Sequence, residues 1–378
     1  MPPRRKLIPG NTNSAQSFDF VRKLLKDCGT SHPLCVKPNP AFRPTRLIAV
    51  QPVNDAGDVQ LRGPDVGLVD PRYIALSYCW GDVIPECRLT TSSLKVMKTR
   101  IAWGTIPQTM QDAILYTRRL GVSYLWIDAM CILQDNLDDW AQEAAMMAEV
   151  YQNSYLTLAA LHGEDSNQGL FSTDVYEIHA FNTWDHPYLD YTLNRHGLWP
   201  LVRRGWCFQE RILAPRVVFF GSNELLWECN TASACECQDI DHLEADRAPI
   251  KQKLFGQMQS APNSKRWMNA WRYIVTAYTE TKLSRPRDRL IAINGVAKLL
   301  SRTEKKGENY LAGIWSGSLL QDLAWMRSTD RRPTPTIAQS ISNREEAFDG
   351  FVAPTWSWAS VSHPVNWWHS HREAEEFI

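Results

Sequence analysis

Nowhere in the 378 residues do about 18 consecutive apolar residues occur, the length a membrane-spanning helix needs, so no such helix is expected. A surplus of either charge is missing too. Lys+Arg and Asp+Glu both number 41, and a formal net charge of zero supplies no electrostatic hold on nucleic acid or an anionic membrane. The opening residues Met1 to Gly10 carry Arg4, Arg5 and Lys6 with no apolar stretch behind them. No secretory leader is therefore expected, and the chain reads as soluble and cytoplasmic. Cysteine is sparse and odd in number, nine in all, far below the density of a disulfide scaffold, so reduced thiols are expected. No repeat with a period of about 20–50 residues is visible.

What is present is an ordinary globular composition, 44% hydrophobic and 22% charged, which excludes disorder, collagen-like repeats and coiled coil. At about 150 residues per domain, the length allows two packed units. Tryptophan is the outlier at 16 residues, most of them expected to bury area in cores.

Residues 1–69 read as a lead-in, with a helix over Phe18 to Lys26 and one strand-like run, Arg46 to Gln51. The pattern then sharpens. Tyr73 to Ser77 is a short apolar run that ends in a turn at Tyr78-Cys-Trp-Gly81, as a buried strand does. Thr105 and Gln108 have the spacing of a capping box for a helix carrying Ile106, Met110, Ala113, Ile114, Thr117 and Leu120 on one face, with Gly121 as its stop. Tyr124 to Asp128 is a second strand run. Asp139 to Asn153 is a second helix with Glu143, Met146, Met147 and Val150 facing inward and Gln142, Glu149 and Gln152 outward. Tyr155 to Leu161 and Arg216 to Phe220 are further strands. Alternating strands and helices build a parallel sheet with crossover helices, which makes the fold class α/β. From about residue 250 the chain reads as mainly helical.

The runs Tyr73-Ile-Ala-Leu-Ser-Tyr-Cys-Trp-Gly81, Tyr124-Leu-Trp-Ile-Asp-Ala-Met-Cys-Ile-Leu-Gln134 and Arg204-Gly-Trp-Cys-Phe-Gln-Glu210 resemble the three motifs of the fungal heterokaryon incompatibility (HET) domain. Further landmarks stand in that family's order: Ile106-Pro-Gln-Thr-Met-Gln-Asp-Ala113, Trp140-Ala-Gln-Glu143, Met147, Val150-Tyr151 and Gly169-Leu-Phe171. Outside this core, Pro44-Thr-Arg-Leu47, Asp288-Arg-Leu290, Tyr310-Leu-Ala-Gly313 and Trp356-Ser-Trp-Ala359 are also similar to longer members. Leu133 departs from the family's usual Asn. The resemblance implies a HET domain over 70–215, followed by a mainly helical region over 216–378. It implies a core like that of Toll/interleukin-1 receptor (TIR) domains, with a flavodoxin-like parallel sheet, and a role in non-self recognition and programmed cell death. Some TIR domains cleave NAD, so NAD is the implied substrate of an enzymatic reading, with no bound cofactor. A non-enzymatic module acting by self-association or on partner proteins of incompatibility signalling is the alternative. Neither reading involves nucleic acid or membrane.

In open α/β sheets ligands sit at the carboxyl ends of strands, where Ser77 to Asp82 and Asp128 to Gln134 fall. Cleaving the nicotinamide–ribose bond passes through an oxocarbenium-like centre that a carboxylate stabilises, the role expected of Glu143. The alternative for Glu143 is a carboxylate serving the helix dipole. Ser77, Tyr78, Trp80, Gly81, Asp128, Gln134 and Trp140 are the substrate-binding candidates, Trp80 and Trp140 by stacking and the amides of Cys79 to Asp82 by meeting phosphate. Asp128 fits an Asx turn or N-cap equally well. Arg204, Trp206, Gln209 and Glu210 read as a hydrogen-bonded network.

Two cysteine groups, Cys28 with His32 and Cys35, and Cys229 with Cys235, Cys237 and His242, lack the paired Cys-x-x-Cys spacing of structural zinc sites, so no metal is expected. Cys79, Cys131 and Cys207 have no His at a recognisable spacing and read as buried thiols before nucleophiles. The odd count and missing leader predict that thiol titration of the denatured, non-reduced protein reaches all nine cysteines. A shortfall of two would reveal a disulfide.

Overall fold

The computed structural model describes residues 8–35, 39, 41–63, 72–173, 199–237, 250–259, 264–301, 309–328 and 352–367. They fall in two compact units, one within Met1–Val202 and Glu210–Gly256, the other within Arg203–Gln209 and Gln257–Ile378.

The first unit opens on helix α1 (Ala15–Ser31), longer at both ends than the periodicity predicts: Ser14 accepts from the Ser17 amide as N-cap, and the His32 amide donates to the Cys28 carbonyl at the other end. Two short strands follow, β1 (Leu47–Ala49) and β2 (Gln60–Arg62). Strand β3 (Tyr73–Ser77) is buried at every position, as a strand with helices on both faces must be. After the six-residue helix α2 (Leu94–Thr99) comes α3 (Gln108–Arg119). The expected capping box is not formed. Pro107 occupies the N-cap with no side-chain hydrogen bond, the Thr105 hydroxyl turns back to the Ala102 carbonyl, and Gln108 Nε2 donates forward to Asp112. Gly121 does follow the helix end, with φ of +70°.

Next come β4 (Tyr124–Trp126), the single turn α4 (Asp128–Cys131), α5 (Leu137–Gln152) and β5 (Leu156–Ala160). Helix α5 starts two residues before the expected Asp139, because Asn136 Oδ1 accepts from the Asp138 and Asp139 amides. Helix α6 (Gly205–Leu213) has its first residues in the second unit and Glu210–Leu213 in the first. Strands β6 (Arg216–Phe220), β7 (Leu225–Cys229) and β8 (Ser233–Cys235) and, up to Gly256, helix α7 (Ile250–Gln259) complete the unit.

The sheet has the order β2-β1-β4-β3-β5-β6-β7-β8. Strands β4, β3, β5 and β6 are mutually parallel, as expected from the sequence, and in chain order they run 2-1-3-4, as flavodoxin-like sheets begin. Antiparallel strands extend them on both sides, β1 and β2 next to β4, β7 and β8 next to β6. The chain moves one way from β3 to β4 and the other way to β5, so right-handed crossovers put α3 and α5 on opposite faces. Tyr116 of α3 packs edge-on against Phe18 and Phe220, and Tyr151 of α5 packs edge-on against Trp126.

The second unit contains α8 (Ser264–Thr279), α9 (Asn294–Ser301), the short hairpin β9 (Tyr310–Leu311) and β10 (Ile314–Trp315), the turn α10 (Leu319–Asp322), and the pair β11 (Trp325–Arg327) and β12 (Val365–Trp367). Its core explains much of the tryptophan content: Trp267, Trp271, Trp315, Trp358 and Trp367 are all buried here. The indoles of Trp271 and Trp358 both donate to the Gly313 carbonyl, at 2.9 and 2.8 Å, which joins the Tyr310–Gly313 and Trp356–Ala359 landmarks.

Asn136 sets where α5, and with it Glu143, begins. Asn136→Ala is expected to cost about 1 kcal/mol, the usual worth of an N-cap, read as a lower urea midpoint at unchanged slope. No change in midpoint would show that tertiary packing alone sets the start of α5.

Candidate active site at the carboxyl edge of the sheet

The carboxyl ends of β3 and β4 bring two of the three motifs together, and a side chain from α6 brings in part of the third. Ser77, the last residue of β3, is buried, and its hydroxyl donates to Glu210 Oε2. The half-buried Trp80 donates its indole N–H to Asp128 Oδ2 at 2.7 Å. Asp128 opens α4 after the N-cap Ile127, and its other oxygen accepts from the Ala129 amide at 2.7 Å, so it braces the start of the turn and holds Trp80. Gln134 Nε2 donates to the Asp128 and Ile132 carbonyls, bracing the end of the same turn.

Gly81 is exposed and has φ of +76°. A Cβ there would stand 2.3 Å from the Cβ of Asp165, so only glycine lets the loop after β3 approach the loop after β5. The Ser166 amide donates to the Trp80 carbonyl at 3.4 Å across the same approach. In a 2-1-3-4 sheet the first and third strands flank the topological switch point, here β3 and β5. The sequence reading named the Ser77 and Asp128 ends and missed Asp165 and Ser166, whose loop has no motif of its own.

Glu143 faces inward as the helical period requires and is 1% exposed. Its Oε1 lies 3.2 Å from Arg46 Nη2, while Oε2 is buried with no hydrogen-bond partner among the described residues. The same guanidinium group contacts both oxygens of Asp139, at 2.7 and 2.6 Å, and its Nε donates to the Cys131 carbonyl at 2.5 Å. Asp139 in turn accepts from the Leu133 amide at 2.8 Å. Arg46 therefore joins the Pro44–Leu47 landmark to the second motif and to α5. Arg46 and Asp139 went unrecognised in the sequence, where 93 residues separate the pair. Trp140 lies one residue on, half-buried on α5.

The third motif divides. Glu210 lies in the first unit, where its neighbour Arg211 makes two 2.8 Å contacts with the buried Glu228. Arg204, Trp206 and Gln209 lie in the second unit. There Arg204 bridges to Lys282, the Trp206 indole donates to Asp288 at 3.2 Å, and Gln209 Oε1 accepts from the Gly295 amide at 2.7 Å. Tyr78 is buried at the end of β3.

All nine cysteines are buried, and none is in a disulfide. Burial pushes the Cys131 thiol up to about 12, the opposite of nucleophile activation. The sequence grouping of Cys229 with Cys235 and Cys237 is replaced in the fold: Cys229 stands with Cys28, His32 and Cys35, while Cys235 and Cys237 stand with Glu224. His242 lies outside the described residues.

With the geometry in place, comparison with known proteins adds one finding. Residues 73–210 match the family model described as Heterokaryon incompatibility protein (HET). This segment of the chain is a HET domain. No curated protein and no solved structure matches the chain. No helix among the described residues is long and apolar enough to cross a membrane.

Burial, the largest influence, raises the Glu143 carboxyl above its ordinary 4.5, against the opposing pull of Thr45 and Arg46. The folded state thus holds this proton more tightly than the unfolded chain, and ionising Glu143 costs stability as pH rises from about 4.5 through the raised value. Urea unfolding across a pH series should show the stability of the unvaried protein, minus that of Glu143→Gln, falling with rising pH and then levelling. A difference that rises instead would mean that Arg46 outweighs burial.

Proposed function

We propose that this protein acts in fungal non-self recognition and programmed cell death from the cytoplasm, and that its HET domain is a TIR-like NAD glycohydrolase. The observation that carries the reading is the gathering of the first two motifs, Glu210 and Glu143 around the carboxyl edge of a 2-1-3-4 parallel sheet. In the reaction the bond between ribose C1′ and the nicotinamide nitrogen breaks, the ring leaves with the bonding pair, and water adds to C1′ and gives up a proton. Glu143 supplies the negative charge that the oxocarbenium-like centre needs, through the oxygen that Arg46 leaves unpaired. Asp139 keeps Arg46 neutralised while Glu143 turns to the substrate. The half-buried Trp80 and Trp140 offer stacking faces, and the exposed amides at Gly81 and Asp82 offer donors to phosphate.

A second reading rests on one specific observation, that Glu143 is 1% exposed and bound to Arg46. On that reading Glu143 is structural, and the domain signals without catalysis, by self-association or by binding a protein partner.

The two readings separate in Glu143→Gln. The substitution keeps volume and an oxygen that can accept from Arg46 while removing the charge, a change that a stable domain tolerates. On the catalytic reading NAD consumption by purified protein and killing on overexpression disappear together, at unchanged soluble expression. Killing retained by a folded Glu143→Gln variant would reject the catalytic role and leave the association reading.

A further inference from the structure

The cluster of Cys28, His32, Cys35 and Cys229 belongs to the first unit but not to the carboxyl edge. Cys229 closes β7 and pairs in register with Arg216, the first residue of β6. It therefore lies at the amino edge of the parallel strands, opposite Ser77 and Asp128. Cys28 sits in the last turn of α1, and His32 follows one helical turn later on the same side. The Cys35 amide donates to the His32 carbonyl at 3.1 Å, a turn that brings the third thiol back to the first two. The Asn230 side chain donates to the Leu34 carbonyl at 2.9 Å and holds this turn against the end of β7.

The three sulfurs and one imidazole nitrogen all lie within 4.8 Å of one another, and Cys229 Sγ is 3.3 Å from His32 Nδ1. Tetrahedral zinc, with Zn–S of about 2.3 Å and Zn–N of about 2.0–2.1 Å, needs ligand edges of roughly 3.6–3.8 Å. Separations within 4.8 Å bracket that size and need only small side-chain shifts to close on one ion. Thiols serving as small hydrophobes would face apolar carbon, whereas these face each other and a polar surround. Arg216 Nε donates to Cys28 Sγ at 3.1 Å, and the Ala232 amide donates to Cys229 Sγ at 3.2 Å. Such N–H donors are what thiolates take up around a metal. Three thiolates and one divalent cation leave a single negative charge, which the Arg216 guanidinium balances.

We propose that Cys28, His32, Cys35 and Cys229 bind one structural zinc ion. Soft thiolates with one imidazole select zinc over magnesium or calcium, and four protein ligands leave no open position for catalysis. The ion ties the end of α1 to the end of β7, so its binding adds directly to the folding of the first unit.

The test begins with the unvaried full chain, desalted after purification and analysed for metals by mass spectrometry; close to one zinc per chain is expected. Exchange for cobalt should produce the intense visible bands of a tetrahedral thiolate site, and a zinc chelator should lower Tm. Cys28→Ser and Cys229→Ser should each reduce the zinc content to background, while Cys237→Ser, in the separate group with Glu224, should retain it. The cobalt spectrum of the unvaried protein decides the matter even where a variant is insoluble. No zinc and no cobalt spectrum in the unvaried chain would overturn the proposal, as would zinc kept by Cys229→Ser and lost by Cys237→Ser.

Discussion

A buried guanidinium must find anionic partners or the fold does not hold, and the first unit is arranged around this requirement at Arg46. The residue is 8% exposed and sits immediately before β1, beside the carboxyl edge of the sheet. Its contacts reach the Cys131 carbonyl at the end of α4 and the carboxylates of Asp139 and Glu143 on α5. One cation thus sets the spacing between an edge strand, a turn that carries Asp128, and the helix that carries the carboxylate with an unpaired oxygen. Moving any of the three leaves a buried charge without its counterpart.

The carboxyl edge is consequently a place of opposed demands. Asp128 holds the Trp80 indole and Glu210 holds the Ser77 hydroxyl, so both carboxylates are committed to positioning the first motif. Glu143 meets Arg46 through one oxygen, and burial raises its proton affinity. The amino edge solves a different problem, since three thiols, an imidazole and Arg216 converge where α1 meets β7. The two clusters thus stand at opposite ends of the parallel strands, the carboxylates at the carboxyl edge and the thiols at the amino edge.

Strands β3, β5 and β6 were legible because each is a five-residue apolar run bounded by turn residues, the pattern of a strand covered on both faces. Strand β7 was not, because its apolar run contains Glu228, a charge made tolerable inside by Arg211 from a different element. Strand β1 lies inside the strand-like run Arg46 to Gln51, whereas β2 has three residues, too few to show a period. The inward face of α5 was readable and placed Glu143 in the interior, but its partner Arg46 was not, since a pairing across 97 residues leaves no local trace. The cysteines show the same limit: spacing along the chain groups Cys229 with Cys235 and Cys237, whereas strand pairing delivers it to His32.

That the Arg46 network is one interacting unit is the claim on which the rest depends, and a double-mutant cycle between Arg46→Met and Glu143→Gln, read by urea unfolding of the full chain, tests it most directly. Groups in direct contact within a buried network should show a coupling of about 1–3 kcal/mol. Additivity within about 0.3–0.5 kcal/mol would contradict the account.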